Sequence, residues 1–159
     1  MKRIMFVCHG NICRSPMAEF LFKEIVKENG LENGFIIQSS ATSSEELNNP
    51  VHRGTAKILD RLGIDYSKKR ATKLLQSDFY NFDYFVCMDQ RNIGNMQRIF
   101  YNIPQEEQNK KIFKLTDFAP LGRDIADPYW TGDFQQTFND ITYCLKGFWK
   151  FLIENEWKN

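Results

Sequence analysis

Runs of β-branched and aromatic residues alternate along this chain with stretches of helical periodicity, and glycine, asparagine or proline stands at most of the changeovers. Arg3 to Val7 is one such run and reads as a buried strand that stops at Gly10 and Asn11. Pro16 then opens a helix, because its missing N–H would be unpaired at the first helical position, and Ser15 stands before it as a competent N-cap. Met17, Phe20, Leu21 and Ile25 share one face of that helix, which Asn29 and Gly30 bring to an end. Phe35 to Ser39 reads as a second strand, and Thr55, Ile58, Leu59 and Leu62 mark a helical face that ends at Gly63. A strand at Tyr84 to Met88, a helix over roughly Asn92 to Phe100 and a strand at Ile112 to Leu115 repeat the pattern. A polar loop rich in Asp, Pro and Gly precedes the last helix. There Phe134, Phe138, Ile141, Leu145, Phe148 and Leu152 step by four or three, with Asp133 and Gln136 placed as a capping box. The charged stretch Gln105 to Lys111 reads as a solvated loop.

Strands linked by helices long enough to cross over build a parallel sheet with helices on both faces, and four strands are expected here. The 159 residues, 42% of them apolar, suffice for a single domain over residues 1–159 with one substantial core. Lysine and arginine number 21 against 20 acidic residues, and a net charge of +1 lacks the basic field by which nucleic acid or an anionic membrane is held. The apolar run Ile4 to Cys8 is too short for the core of a signal peptide, and no stretch approaches a membrane span. A soluble, cytoplasmic protein is expected, whose four cysteines stay reduced and form no disulfide framework.

The chemistry concentrates in Cys8-His9-Gly10-Asn11-Ile12-Cys13-Arg14-Ser15, between the first strand and the first helix. Ligands of such sheets bind just beyond the carboxyl ends of strands. Gly10 and Asn11 tolerate positive φ, so the chain can curl until successive N–H groups point inward and hold an anion, with the positive end of the helix dipole behind them. A cysteine facing that cradle is favoured as the thiolate, the nucleophilic form. Arg14 returns to the same mouth, where its planar fork can grip two phosphate oxygens. The segment is therefore predicted to bind phosphate with residues His9 to Ser15 around a Cys8 nucleophile.

A thiolate attacking phosphorus expels an alcohol that needs a proton, so a carboxylic acid is expected opposite. The loop before the last helix offers Asp117, Asp124, Asp127 and Asp133. Asp133 is assigned to the cap, whereas Pro128 stiffens the loop after Asp127, and Tyr129 and Trp130 are placed to wall an aryl group. Asp127 is favoured, although Asp-Pro is also an ordinary turn signal. Cys13 has two readings, a partner that forms a reversible disulfide with Cys8 under oxidation or a packing residue. Cys87 and Cys144 read as core. His9 either lines the pocket rim or faces solvent, and His52 reads as solvent-facing. Cys8, Cys13, His9 and His52 lack any recognised ligand spacing, so no metal is expected.

On these residues the chain resembles the low-molecular-weight protein tyrosine phosphatases, from Arg3 to near the C-terminus. The family's phosphate loop reads here as Val7-Cys8-His9-Gly10-Asn11-Ile12-Cys13-Arg14-Ser15-Pro16 and its acid loop as Asp127-Pro128-Tyr129-Trp130. Phe85-Val86-Cys87-Met88-Asp89 also matches a family strand. The resemblance implies a three-layer αβα fold with flavodoxin-like strand order and the phosphate loop after the first strand. It implies Cys8 as nucleophile, Arg14 as phosphate clamp and Asp127 as general acid and then base. Ser15 is then expected to donate to the Cys8 sulfur, and Ser39 to hold Asn11 in its left-handed conformation. The implied reaction hydrolyses phosphotyrosine in a protein, or a small aryl phosphate, through a phosphocysteine without metal or cofactor. Inorganic phosphate is its product and competitive ligand, and His9, Ile12, Tyr129 and Trp130 wall the pocket.

Some positions depart from the pattern. Ser67-Lys68-Lys69-Arg70 stands where many members carry a histidine, Ser40 stands where glycine is common, and Ser43 to Asn49 contributes no aromatic wall. Relatives that hydrolyse phosphoarginine tend to carry threonine at the position of Ile12, so Ile12 favours an aryl group. Thiol-coupled arsenate reductases need a second cysteine about seven residues after Cys87, and that position is Gly94. A phosphocarrier that parks phosphate on Cys8 is the other alternative, against which Arg14 and Asp127 weigh because they promote hydrolysis.

Overall fold

A computed structural model describes residues 1–156 and resolves the alternation into four strands and six helices among them. In chain order these are β1 (Lys2–Cys8), α1 (Arg14–Glu28), β2 (Phe35–Ala41), α2 (Arg53–Arg61), β3 (Tyr84–Cys87), α3 (Gln90–Ile99), α4 (Gln105–Asn109), β4 (Ile112–Lys114), α5 (Pro128–Thr131) and α6 (Phe134–Glu156). Every strand pairing is parallel and the order is β2-β1-β3-β4, the flavodoxin-like arrangement. The order reverses direction between β1 and β3, so the loops that leave their carboxyl ends diverge and open a crevice there. Cys8 ends β1 at that crevice.

Side chains of β1 alternate between two apolar layers, as the period of a strand requires. Ile4, Phe6 and Cys8 face a layer built by Met17 and Phe22 of α1, Leu59 of α2 and Phe148 of α6. Met5 and Val7 face Phe79, Phe82, Met96 and Phe100 on the other side. Edge-on ring contacts tie the first layer together, with Phe6 5.7 Å from Phe22 and 6.2 Å from Phe148. No helix among the described residues is long and apolar enough to cross a membrane.

Four local expectations are corrected. First, α1 begins at Arg14 rather than Pro16, because the Ser15 hydroxyl is engaged by Cys8 and Asn11 and does not cap. Pro16 is tolerated within the first turn, where backbone N–H groups have no helical partner anyway. The buried face of α1 is also wider than the predicted stripe, since Phe22 and Val26 are inside whereas Phe20 and Ile25 are half-buried. Second, Gln105–Asn109 is a helix rather than a loop, anchored by the buried Gln108 amide, which donates to the carbonyls of Phe100 and Ile103 at 2.9 Å each. Third, only half the capping box forms at α6. Asp133 accepts from the Gln136 N–H at 2.9 Å, but the Gln136 side chain turns to Asp140 and the Asp133 N–H donates to Thr131. Fourth, His52 is not free in solvent but caps α2.

Gly147 lets α6 lie against the segment that follows β4. A Cβ there would sit 2.0 Å from the Phe118 carbonyl oxygen. Gly147→Ala gains up to ~1 kcal/mol of helix propensity, but overpacking against rigid backbone costs about 3 kcal/mol. The net loss is expected to lower Tm by roughly 4–8 °C in a chain of this size. An unchanged melting curve would show that α6 does not seat on Phe118.

Candidate active site

The segment between β1 and α1 is shaped by where its carbonyls go. The His9 carbonyl accepts from the Ser43 N–H (3.1 Å) and hydroxyl (2.8 Å), and the Ile12 carbonyl from the His52 N–H (2.9 Å). The Cys13 carbonyl accepts from the Thr55 hydroxyl at 3.0 Å. All three thus point out into the scaffold. A trans peptide places its C=O and N–H on opposite sides, and the described residues include no cis bond, so the N–H groups of Gly10, Cys13 and Arg14 point back toward the mouth. This is the nest expected from the sequence, with one difference in its construction. Only Asn11 takes positive φ, at 59°. Gly10 instead provides closeness, since a Cβ there would meet the Glu46 side chain at 3.3 Å.

The Asn11 conformation is secured by three hydrogen bonds. Its Nδ2 donates to Ser15 Oγ (2.7 Å) and Ser39 Oγ (2.9 Å), and its Oδ1 accepts from the Thr72 N–H (3.1 Å). Ser39 is therefore where the resemblance places it. Ser15 Oγ lies 3.0 Å from Cys8 Sγ and already accepts from Asn11, which leaves its own proton for the sulfur. The Asn11 N–H also reaches Sγ, at 3.3 Å. The sulfur thus faces donors, an arrangement that favours negative charge on it.

Behind this cluster lies an ionic network around the buried Glu19 that sequence reasoning missed. Ser39 Oγ donates to Glu19 Oε1 at 2.5 Å, Lys23 Nζ donates to Glu19 Oε2 at 2.6 Å, and Lys69 Nζ donates to the Ser39 carbonyl at 2.8 Å. Lys69 also lies 3.7 Å from Glu19. Burial pushes the Lys69 ammonium below its ordinary value, with the Glu19 carboxylate opposing. The segment Ser67 to Arg70 therefore supplies the Lys69 ammonium to the support of the loop. The only sequence signal for Glu19 was its place one helical turn after Ser15.

Arg14 is the largest fully buried side chain among the described residues, only 2% exposed. Nη1 donates to Asp89 Oδ2 at 2.7 Å and to the Ile125 carbonyl at 2.8 Å, while Nη2 lies 3.6 Å from Asp127 Oδ2. Burial opposes its charge, but Cys8, Asp89 and Asp127 outweigh that and hold the guanidinium above its ordinary value. Asp89 ends the strand motif quoted above and caps α3 through its other oxygen, which accepts from the Asn92 N–H at 2.9 Å. An aspartate between a strand's carboxyl end and a helix was the legible signal for it.

The four candidate acids separate cleanly. Asp117 accepts from the Lys114 N–H, Asp124 from the Gln90 N–H and the Lys114 ammonium, and Asp133 caps α6. Asp127 faces Arg14 and lines the mouth, its Oδ1 accepting from the Tyr129 N–H at 3.0 Å at the start of α5. Cys8, Arg14 and Asp127 share one cavity of about 130 Å³ with His9, Ile12, Tyr129 and Trp130. Glu45 and Glu46 also line it, which gives residues 43–49 an acidic wall. His9 is part of the rim, paired with Glu45 at 2.9 Å. Cys13 also lines the cavity, its thiol pushed up by burial and then by Cys8. Cys87 and Cys144 are core, and burial pushes the Cys144 thiol up to about 11.

Comparison with known proteins bears on the same residues. Residues 3–158 match the family model of the low molecular weight phosphotyrosine protein phosphatases. The chain is 36% identical over 136 residues to YfkJ of Bacillus subtilis, a low molecular weight protein-tyrosine-phosphatase, with 86% of each chain covered. It is 37% identical over 156 residues to PtpA of Staphylococcus epidermidis, covering 98% of this chain and 96% of the relative. The crystal structure of YfkJ superposes with a TM-score of 0.90 at 31% identity, over 98% of this chain and 97% of the other. Likeness that runs the length of both chains, and through the loop that holds Cys8, settles the assignment: this chain belongs to the low molecular weight phosphotyrosine protein phosphatase family, phosphatases that act through an active-site cysteine.

Proposed function

We propose that the protein hydrolyses phosphotyrosine in proteins, and small aryl phosphates, through a phosphocysteine on Cys8. The observation that carries this reading is the meeting of a sulfur surrounded by donors, a buried guanidinium and the Asp127 carboxyl in one cavity. The Cys8 thiolate attacks phosphorus, the S–P bond forms as the P–O bond to the aryl group breaks, and Asp127 gives its proton to the departing oxygen. Water then attacks the phosphocysteine while Asp127 takes a proton from it, releasing inorganic phosphate and the free thiolate. Arg14 and the inward N–H groups carry the charge on the transferring group. Tyrosine is favoured over serine because Ile12, Tyr129 and Trp130 offer apolar surface at the mouth, with the two rings 5.0 Å apart at 81°. The YfkJ and PtpA relatives bear the name protein-tyrosine-phosphatase, which supports the same substrate class.

The test is turnover, with chelator present, of matched peptides bearing phosphotyrosine, phosphoserine or phosphoarginine. The phosphotyrosine peptide is expected to be hydrolysed with the highest kcat/KM, and preference for phosphoarginine would reject the aryl reading. Asp127→Ala is expected to lower kcat/KM, which reports formation of the phosphocysteine, by ~10²- to 10⁴-fold for esters with poor leaving groups and by less for good ones, because only the former need a proton as the bond breaks. Equal losses across a leaving-group series would remove the acid role from Asp127.

A further inference from the structure

We propose that His52 is a positioning residue for the substrate's aryl group, acting through Tyr129. This rests on the reading of the cavity as an aryl phosphate site. The imidazole lies behind the wall and does not line the cavity. Its Nδ1 accepts from the Gly54 N–H at 3.0 Å and so completes the first turn of α2. One face of the ring stacks on Phe134 at 5.0 Å and 18°, and Tyr129 meets the imidazole edge-on at 6.0 Å and 76°. Phe134 in turn packs against Ile12 and Cys13 of the phosphate loop.

Two features show that the stack is built rather than incidental. A Cβ at Gly54 would lie 2.5 Å from three carbons of the Phe134 ring, so the ring can occupy that place only because residue 54 is glycine. The His52 backbone also holds the loop itself, its N–H donating to the Ile12 carbonyl. The imidazole is thus fixed at its nitrogen by the cap and at its face by Phe134. Tyr129 is half-exposed, and its other ring contact among the described residues, Trp130, is 80% exposed. His52 is therefore the anchored partner of that wall, and it joins the wall to the loop that binds phosphate. Because Tyr129 follows Asp127 by one short turn, the same anchor sets the distance between wall and acid.

Two variants separate the ring from the cap. His52→Asn keeps a good capping acceptor but removes the ring, whereas His52→Phe keeps a ring to stack and removes the acceptor. His52→Asn is expected to raise KM for a small aryl phosphate by about 3- to 10-fold, the scale of one aromatic contact, with a smaller change in kcat. The inhibition constant of inorganic phosphate, which touches only the loop, is expected to stay where it is in the native protein. His52→Phe is expected to restore the native KM while melting at a lower temperature. The proposal is overturned if His52→Asn keeps the native KM, if His52→Phe raises KM as much as His52→Asn does, or if phosphate inhibition weakens in parallel with KM. Failure of the underlying reading looks different, since the native protein itself would then prefer the phosphoarginine peptide or turn over no aryl phosphate, whatever the His52 variants do.

Discussion

Replacing Cys8 with serine is expected to abolish aryl phosphate hydrolysis, by on the order of 10⁶-fold, the scale on which removal of a covalent nucleophile is felt in other hydrolases. The reason is specific to the contacts of the sulfur. A serine hydroxyl attacks only when a base takes its proton, yet the groups within reach of this position are the Asn11 N–H and the Ser15 hydroxyl. A thiolate accepts from both and needs no base. A hydroxyl in its place would remain protonated and inert. Serine is smaller than cysteine and can keep a hydrogen bond to Ser15, so the melting temperature should move little. Turnover of an aryl phosphate, measured beside the melting curve, checks both halves. Activity surviving at more than trace level in a folded Cys8→Ser protein would mean that another group attacks phosphorus.

Arg14→Lys, a change that keeps the charge, is expected to cost about 10³- to 10⁵-fold in kcat/KM, comparable to loss of an arginine that stabilises a phosphoryl-transfer transition state. The guanidinium is held from behind by Asp89 and the Ile125 carbonyl, which aims the rest of its planar fork at the cavity. A lysine ammonium is a point donor on a flexible stem. It would pair with Asp89 and withdraw from the mouth, or reach the mouth and leave Asp89 and Ile125 unpaired in a buried site. The loss should be the same for good and poor leaving groups, in contrast to Asp127→Ala, because the charge on the transferring group must be met whichever oxygen departs. Near-normal turnover by Arg14→Lys would reject the two-point grip on phosphate.

How much of this could be read from the sequence depended on how local the cause was. The nest after β1 was legible because its ingredients lie within eight consecutive residues between a strand and a helix. The choice of Asp127 was legible only as a preference, since Asp-Pro reads as a turn whether or not it carries chemistry, and the contact with Arg14 that distinguishes it comes from across the crevice. The true start of α1 was hidden because Ser15 has the chemistry of a cap and is diverted to a sulfur seven residues away. The helix at Gln105–Asn109 was hidden behind a charged composition, because its anchor is one buried amide rather than an apolar stripe. Glu19 and Lys69 were invisible for a related reason. Neither has a neighbour in the chain that announces burial, and apart from Lys23 one turn along α1, their partners are brought together by the fold from α1, β2 and the segment after α2. His52 reads as a surface histidine until Phe134, 82 residues later, is laid beside it.

The proposed phosphocysteine is open to direct capture. An activated aryl phosphate needs no proton to leave, so Asp127→Ala enzyme should still form the S–P bond, yet without its base it should hydrolyse that bond slowly and accumulate it. Rapid quenching, digestion and mass spectrometry should then find one phosphoryl group on the peptide that contains Cys8, absent from a Cys8→Ser control. A phosphoryl group on His9 instead, or fast aryl release with no covalent adduct at any time, would show that the sulfur of Cys8 does not carry the reaction.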